Sequence, residues 1–225
     1  MSKNKIAFIH TSPAAISPLM QFYGEAAPEF EITNLLDDGL LRLLAAKEIP
    51  TAKKRLSDMI KTAVETYKAE LAMVTCSSVS REVVEQLGSE LNFPILKIDY
   101  PMAREAIKTG KKIGVAATFA PTLIPTSQLL KEAAAEAGTE IEIIQEISPE
   151  AYTALLSGDT ATHDEKLLAA IERLEKQGVD AIVLAQVSMA RVLPQATERA
   201  NVPVLTSLQT SLDAIRDALS VQAKH

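Results

Sequence analysis

The residues best suited to chemistry surround Cys76, the only cysteine of the chain, which stands between Thr75 and the pair Ser77 and Ser78. The apolar run 71–74 is too short for a helix and predicts a buried strand, and helical spacing of apolar residues resumes just after the serines. The pattern therefore predicts that a strand delivers Cys76 to the start of a helix. A helix N-terminus stabilises a thiolate or a bound carboxylate through its N–H groups and its dipole. The alternative is a small buried hydrophobe, the usual role of a lone cysteine.

Composition is that of an ordinary globular protein and excludes several functions. The chain has 225 residues, of which 47% are hydrophobic and 23% charged, enough to bury a core. Because the net charge is −6 and the basic residues are scattered, we expect neither nucleic acid nor a membrane surface as partner. No apolar run approaches the roughly 20 residues that span a bilayer. Without a signal-peptide pattern or a Cys/His cluster, we expect a cytoplasmic protein with no metal and no other cofactor.

Strand-like and helix-like segments alternate along the whole sequence. The predicted strands have near-continuous apolar cores, which is typical of parallel sheets covered on both faces. They are expected at about residues 6–10, 30–35, 71–75, 94–98, 112–116, 140–145, 181–185 and 202–206. Ser17 and Thr162 are predicted helix N-caps, the latter in a capping box with Glu165. The fold class is therefore predicted to be α/β.

The second half of the sequence repeats the first in the same order. The matching pairs are 6–11 with 113–118, 73–81 with 183–191, and 92–96 with 201–205. A period of half the chain is far longer than that of a solenoid repeat. It predicts two pseudo-symmetric lobes, each a parallel sheet of about four strands flanked by helices, with residues 1–100 plus 207–225 in the first and 101–206 in the second.

Side chains that follow the strands are the candidates for binding a ligand. Ligands of open parallel sheets bind beyond the carboxyl ends of the strands, so we expect an active site in the cleft between the lobes. The residues predicted to face this cleft are His10, Thr11, Pro13, Thr75, Cys76, Ser77, Ser78, Thr118, Gln186, Val187 and Ser188. Their hydroxyl groups could stabilise developing negative charge, and helix capping is their alternative role.

At the segments Thr75-Cys76-Ser77-Ser78 and Leu184-Ala185-Gln186-Val187-Ser188-Met189, the chain resembles the aspartate/glutamate racemase superfamily. This superfamily includes hydantoin racemases, maleate isomerases and arylmalonate decarboxylases, and the resemblance covers essentially the whole chain. It implies two pseudo-symmetric α/β lobes, each with a catalytic cysteine at the end of an equivalent strand, and no cofactor. Cys76 matches the first cysteine, whereas Gln186 stands where the second is expected.

This departure bears on the chemistry that the resemblance implies. A racemase of this kind removes the proton α to a carboxylate on one face and returns one on the other, which needs two titrating groups. Glutamine does not titrate, so another residue would have to replace the second thiol. His10 is the first candidate, with Tyr100 and Tyr152 behind it, and a satisfied histidine at the edge of the core is the alternative. His163 is interpreted as a surface residue.

Three functions therefore stay open, all with a small carboxylic acid as ligand. The first is a racemase or isomerase with Cys76 as acid and base at the carbon α to the carboxylate. The second is a decarboxylase or lyase in which Cys76 is the sole proton donor. The third is a binding protein in which Gln186 holds a carboxylate or amide of the ligand. The leucine-rich segment 40–44 is the candidate surface for a homodimer or higher oligomer, although a core helix explains it as well.

Overall fold

The computed structural model describes residues 4–222 as eight strands and ten α-helices in alternation. The strands are β1 (Asn4–His10), β2 (Phe30–Leu36), β3 (Leu71–Val74), β4 (Ile95–Lys97), β5 (Lys112–Ala117), β6 (Glu142–Ile147), β7 (Ala181–Leu184) and β8 (Val204–Leu205). The helices are α1 (Ile16–Ala26), α2 (Leu40–Ala45), α3 (Ile49–Glu65), α4 (Arg81–Leu91), α5 (Tyr100–Thr109), α6 (Leu123–Glu136), α7 (Pro149–Leu156), α8 (Thr160–Lys176), α9 (Leu193–Arg199) and α10 (Ser207–Gln222). Short 3₁₀ helices cover Pro13–Ala15, Ala120–Thr122 and Val187–Val192.

The strands form two four-stranded parallel sheets of the same topology, which confirms the predicted α/β fold class. Their orders are β2-β1-β3-β4 and β6-β5-β7-β8. The registers repeat as well: Ile9 pairs with Val74 across β1 and β3, and Ala116 pairs with Leu184 across β5 and β7. The repeat found in the sequence is therefore a repeat of strand order and register.

The chain divides into two compact units, each with its own sheet. Unit 1 is formed by two segments, the residues up to Ile98 and those from Ser211 onward, and unit 2 is Asp99–Thr210. Within residues 4–222, no helix is long and apolar enough to cross a membrane.

Each sheet is buried because its apolar strands are covered by helices. In unit 1, Ile9 and Val74 pack in one cluster with Leu56 and Ile60 of α3, and none of these side chains is exposed. In unit 2, Val115 and Val183 pack against α6, while β-strand residues of the opposite face pack against α8. Removal of this apolar surface from water is the main driving force for folding. The strand ends, where the polar residues begin, are held by these two cores.

Three helix starts differ from the sequence prediction. Helix α1 begins at Ile16 after a 3₁₀ helix capped by Ser12, so the predicted cap at Ser17 is wrong. The upstream 3₁₀ turn lets the helix begin earlier, and a proline is tolerated in the first turn. The predicted capping box is also wrong, because the Asp159 side chain accepts the N–H of Thr162 at 3.0 Å and α8 begins at Thr160.

The prediction for the helix after Cys76 is wrong in its start. Helix α4 begins at Arg81, and Ser80 is its N-cap, with a side chain that accepts the N–H of Val83 at 3.4 Å. Cys76 therefore lies in a turn between β3 and α4 and not in the first turn of the helix. Ser80, the third serine after Cys76, caps the helix, and the Cys76 turn is not needed for capping.

Candidate functional site

Unit 1 places Cys76 at the carboxyl end of its sheet, beside the end of β1. Because Ile9 pairs with Val74 in parallel register, Thr11 and Cys76 are the second residues beyond the last pair of the two strands. Cys76 is 8% exposed and Thr11 is 3% exposed. The turn is closed by the N–H of Val79, which donates to the carbonyl oxygen of Cys76 at 3.3 Å. The register thus brings together two of the predicted site residues.

His10, the last residue of β1, is completely buried and uses both ring nitrogens inside unit 1. Nδ1 lies 2.8 Å from the hydroxyl oxygen of Thr75, and Nε2 lies 2.8 Å from the amide oxygen of Asn34. An amide oxygen only accepts, so Nε2 carries the proton and donates to Asn34. In the neutral ring Nδ1 is then an acceptor, and the single proton of the Thr75 hydroxyl faces two acceptors, Nδ1 at 2.8 Å and the carbonyl oxygen of Ile9 at 3.1 Å. Burial lowers the pKa of His10 below its ordinary value, and the hydrogen bond to Asn34 opposes this in part. The neutral form is therefore favoured, and His10 fixes the orientation of Thr75.

A buried lysine supports the Cys76 turn from the other side. Lys97, at the end of β4, is 5% exposed, and its Nζ donates to the carbonyl oxygens of Cys76 and Ser77, each at 3.4 Å. The lysine therefore joins the end of β4 to two carbonyl groups of the turn and orders its backbone.

Unit 2 places Gln186 at the corresponding strand end, opposite Thr118. The side-chain oxygen Oε1 of Gln186 accepts three hydrogen bonds: from the N–H of Thr118 at 2.8 Å, from the Thr118 hydroxyl at 3.0 Å and from the N–H of Phe119 at 3.2 Å. Thr118 is 1% exposed. The amide of Gln186 is thus tied to the end of β5 by its own oxygen.

The remaining candidates of unit 2 are Val187, Ser188, Tyr152 and Tyr100. Val187 and Ser188 begin the 3₁₀ helix that follows Gln186, and both are half-buried. The ring of Tyr152 stacks on Phe119, with centroids 5.0 Å apart. Tyr100 donates its hydroxyl to the carboxylate of Glu136.

His163 is buried, so its prediction as a surface residue is wrong. It is 0% exposed, and its Nδ1 lies 2.8 Å from Asp164, whose carboxylate also binds Arg191 of the 3₁₀ helix at 2.8 Å. The start of a helix is commonly exposed, but here the ion pair of Asp164 with Arg191 joins α8 to the 3₁₀ helix that follows Gln186.

The first-unit candidates differ in exposure. Ser77 is half-buried and Ser78 exposed in the turn after Cys76, and Pro13 is exposed at the start of its 3₁₀ helix. The structure thus groups His10, Thr75 and Cys76 at the ends of the neighbouring strands β1 and β3. Roles for all predicted site residues, and the predicted cleft, stay predictions.

Sequence reasoning missed three residues that shape these strand ends. Asn34 binds His10 from the neighbouring strand, Lys97 supports the Cys76 turn, and Phe119 donates its N–H to Gln186. A charged residue within the apolar strand 94–98 was the available signal for Lys97. The contributions of Asn34 and of a backbone N–H carry no such signal.

A recess at the outer edge of unit 1 lies apart from Cys76. It has a volume of about 610 Å³ and is lined by Asn34, Leu35, Leu36, Asp37, Arg55, Asp58, Met59, Thr62 and Tyr67. None of the predicted site residues lines it. Within residues 4–222, no group of three or more His, Cys, Asp and Glu side chains is arranged to hold a metal ion.

Comparison with known proteins identifies relatives along most of the chain. A family model described as Asp/Glu/Hydantoin racemase matches residues 19–215. A glutamate racemase of Picosynechococcus sp. is 28% identical over 127 residues, which are 55% of this chain and 44% of that protein. A glutamate racemase of Rippkaea orientalis is 33% identical over 82 residues, which are 36% of this chain and 25% of that protein. The matched segments span less than half the length of these relatives.

Solved structures share the fold over nearly the whole length. An aspartate racemase homologue from Pyrococcus horikoshii superposes with a TM-score of 0.72 at 18% identity, covering 98% of this chain and 100% of that one. Allantoin racemase from Klebsiella pneumoniae gives 0.69 at 16% identity, with 98% and 89% covered. Unliganded arylmalonate decarboxylase gives 0.58 at 14% identity, with 95% and 92% covered. At these identities the likeness establishes the fold alone.

Proposed function

The chain belongs to the Asp/Glu/hydantoin racemase family, and from this premise we propose that it is a cofactor-independent isomerase acting at the carbon α to a carboxylate. Cys76 is the acid and base in this proposal. As a thiolate it removes the α-proton, the electron pair moves into the carboxylate to form an enediolate, and the thiol then returns a proton to the same carbon. The substrate is a small carboxylic acid.

The observation that carries this proposal is the contrast between the two strand ends. Cys76 is the only thiol of the chain and lies in a turn lined by hydroxyl groups and supported by Lys97. Gln186, in the corresponding position of unit 2, does not titrate and is held by three hydrogen bonds. The proton transfer is therefore assigned to unit 1. Gln186 serves as a fixed hydrogen-bond donor through its NH₂ group.

A second acid or base is needed only if the proton returns to the opposite face. His10 was the first candidate, but both of its ring nitrogens are engaged and its side chain is buried. These contacts support a positioning role through Thr75 more than direct contact with substrate. The thiol alone suffices for exchange of the α-proton with solvent on one face.

The single thiol also favours a second candidate function, a decarboxylase. Here the bond between the α-carbon and one of its two carboxylate carbons breaks, carbon dioxide leaves, and the electron pair moves into the remaining carboxylate to form the same enediolate. Cys76 then donates one proton to the carbon. Because this reaction needs one proton donor and no base on the other face, the locked amide of Gln186 is compatible with it.

The test is proton exchange in deuterium oxide with a panel of small acids that carry charged or neutral side chains: both enantiomers of aspartate, asparagine, glutamate, glutamine and malate, and methylmalonate. NMR follows loss of the α-proton, chiral chromatography follows inversion of configuration, and mass spectrometry follows loss of carbon dioxide. We expect Cys76→Ala to lower the rate about 100-fold or more and Cys76→Ser to leave little, since general acid–base groups contribute factors of this size.

The exposed Ser89→Ala on α4 serves as the matched control and should retain the full rate. Inversion with exchange and without loss of carbon dioxide supports the isomerase, and loss of carbon dioxide with gain of one deuteron supports the decarboxylase. Full activity of both Cys76 variants would overturn the role of the thiol. Saturable binding of an acid with no exchange over long incubation would favour the binding protein.

A further inference from the structure

We propose that Gln186 determines specificity at the end of β5 by placing its own amide oxygen in an anion-binding position, so that a carboxylate is rejected from this position. The proposal deepens the function proposed above, on which it rests for the class of substrate. The chemical group that it excludes from the three donors is a carboxylate.

The three donors around Gln186 have the arrangement of an anion site. Two successive backbone N–H groups, of Thr118 and Phe119, and the Thr118 hydroxyl converge on one oxygen within 3.2 Å. Successive N–H groups in a loop form a concave surface of positive potential, which typically binds a carboxylate or phosphate oxygen. The oxygen present here belongs to the protein.

The same contacts determine which way the amide points. An amide nitrogen carries two hydrogens and does not accept a hydrogen bond, so the atom that accepts from three donors is the oxygen. The NH₂ group of Gln186 is therefore the end that is left to donate. It can donate to an acceptor oxygen of a ligand, and beside this contact the ring of Phe119 stacks on that of Tyr152.

Unit 1 has the same backbone at the end of β1 without such an oxygen from position 76. After each strand comes a threonine, then an extended residue, then a 3₁₀ helix: Ser12 has φ −149° and ψ 137°, and Phe119 has φ −128° and ψ 114°. Cys76 has no carbonyl oxygen in its side chain.

The consequence is a difference in charge preference between the two strand ends. A carboxylate that entered at Thr118 would have to displace the Gln186 oxygen and break three hydrogen bonds. A carboxylate at Thr11 breaks none of these. We therefore expect the end of β5 to bind a carboxylate only when the Gln186 oxygen is removed.

The experiment compares acetate with acetamide, its neutral counterpart of nearly equal size, by NMR of the backbone amides. Gln186→Met keeps the length of the side chain and removes the oxygen. We expect its Kd for acetate to fall about tenfold or more, since a charge-assisted hydrogen bond is roughly twice as strong as a neutral one, while the Kd for acetamide changes less than about twofold. The amide resonances of Thr118 and Phe119 should shift with acetate in this variant only.

Gln186→Glu is the matched control, because its carboxylate retains an acceptor for the same donors. It should gain no affinity for acetate. Unchanged acetate affinity in Gln186→Met, or saturable shifts of Thr118 and Phe119 with acetate in the wild type, would overturn the proposal. These readouts need no turnover, so absence of exchange with Cys76 present would count against the proposed function alone.

Discussion

The two turns that follow β3 and β7 occupy the same place in repeated sheets, yet one carries a thiol and the other an amide. Cys76 and Gln186 each lie opposite a threonine at the end of the neighbouring strand, in the same parallel register. The difference lies in what satisfies the loop donors: in unit 2 the Gln186 side chain does so, and Cys76 has no oxygen to do so. A repeated backbone has thus been kept, while the chemistry of its strand ends has diverged.

The two units also differ at the neighbouring strands β2 and β6, each of which carries a side-chain amide. In unit 1 the amide of Asn34 donates to the sulfur of Met20 at 3.2 Å, and in unit 2 the amide of Gln145 donates to the hydroxyl of Ser127 at 2.7 Å. Each contact links the strand, β2 or β6, to the α-helix that precedes it in the chain, α1 or α6. Only in unit 1 does the amide also bind a buried histidine.

The largest predicted effects fall on activity for the Cys76 turn and on stability for the Gln186 turn. Cys76→Ala should abolish exchange, at least about 100-fold, and lower the free energy of unfolding by no more than about 1 kcal/mol, because it removes one small buried group. Gln186→Ala should lower the free energy of unfolding by about 1–3 kcal/mol, because buried Thr118 donors lose their acceptor. Urea unfolding and the exchange rate measure the two quantities on the same samples. Equal loss of stability in both variants would contradict the assignment of activity to the Cys76 turn and of stability to the Gln186 turn.

The next prediction concerns the buried pair that distinguishes unit 1. Ala117 and Ala185 of unit 2 stand where unit 1 has His10 and Thr75. We expect His10→Ala and Thr75→Ala to be coupled by about 1 kcal/mol in the free energy of unfolding, since either substitution removes the hydrogen bond between the two side chains. A double-mutant cycle by urea unfolding gives the coupling. Additive single effects would show that the two side chains do not act as a unit.

The smallest predicted effect is the pH dependence of stability. The unfolded chain protonates His10 near its ordinary pKa of 6.5, whereas burial lowers the pKa in the folded state. The unfolded state thus binds more protons in the interval between these values, so stability falls as the pH drops below about 6.5 and levels off below the folded-state pKa. His10→Ala should show a shallower fall between pH 7.5 and 5 in urea midpoints. Equal slopes for the two proteins would contradict the role of His10 burial.

Periodicity and repeats predicted the architecture because they depend on the pattern of apolar residues. The eight strands, their parallel arrangement and the duplication all follow from apolar runs at regular intervals. Helix starts were less predictable, since several polar residues compete to cap one helix: Ser80 caps α4 and Asp159 caps α8.

The positions of the residues that follow the strands could be predicted from the sequence, whereas their hydrogen bonds could not. Thr11, Cys76, Thr118 and Gln186 were predicted from their positions after strands. The hydrogen bonds of Gln186 to backbone N–H groups were not, because main-chain donors are the same for every residue. The burial of His163 was not predicted, because the polar residues beside it in the sequence are typical of an exposed helix start.

The most direct test of the central claim is alkylation of the only thiol. Iodoacetamide modifies a cysteine through its thiolate, and intact mass counts the adducts. We predict a single adduct on Cys76, with residual exchange activity falling in proportion to the modified fraction, slower labelling in the presence of butyrate, and no adduct on Cys76→Ala. A fully alkylated protein that keeps its exchange activity would contradict the assignment of proton transfer to Cys76.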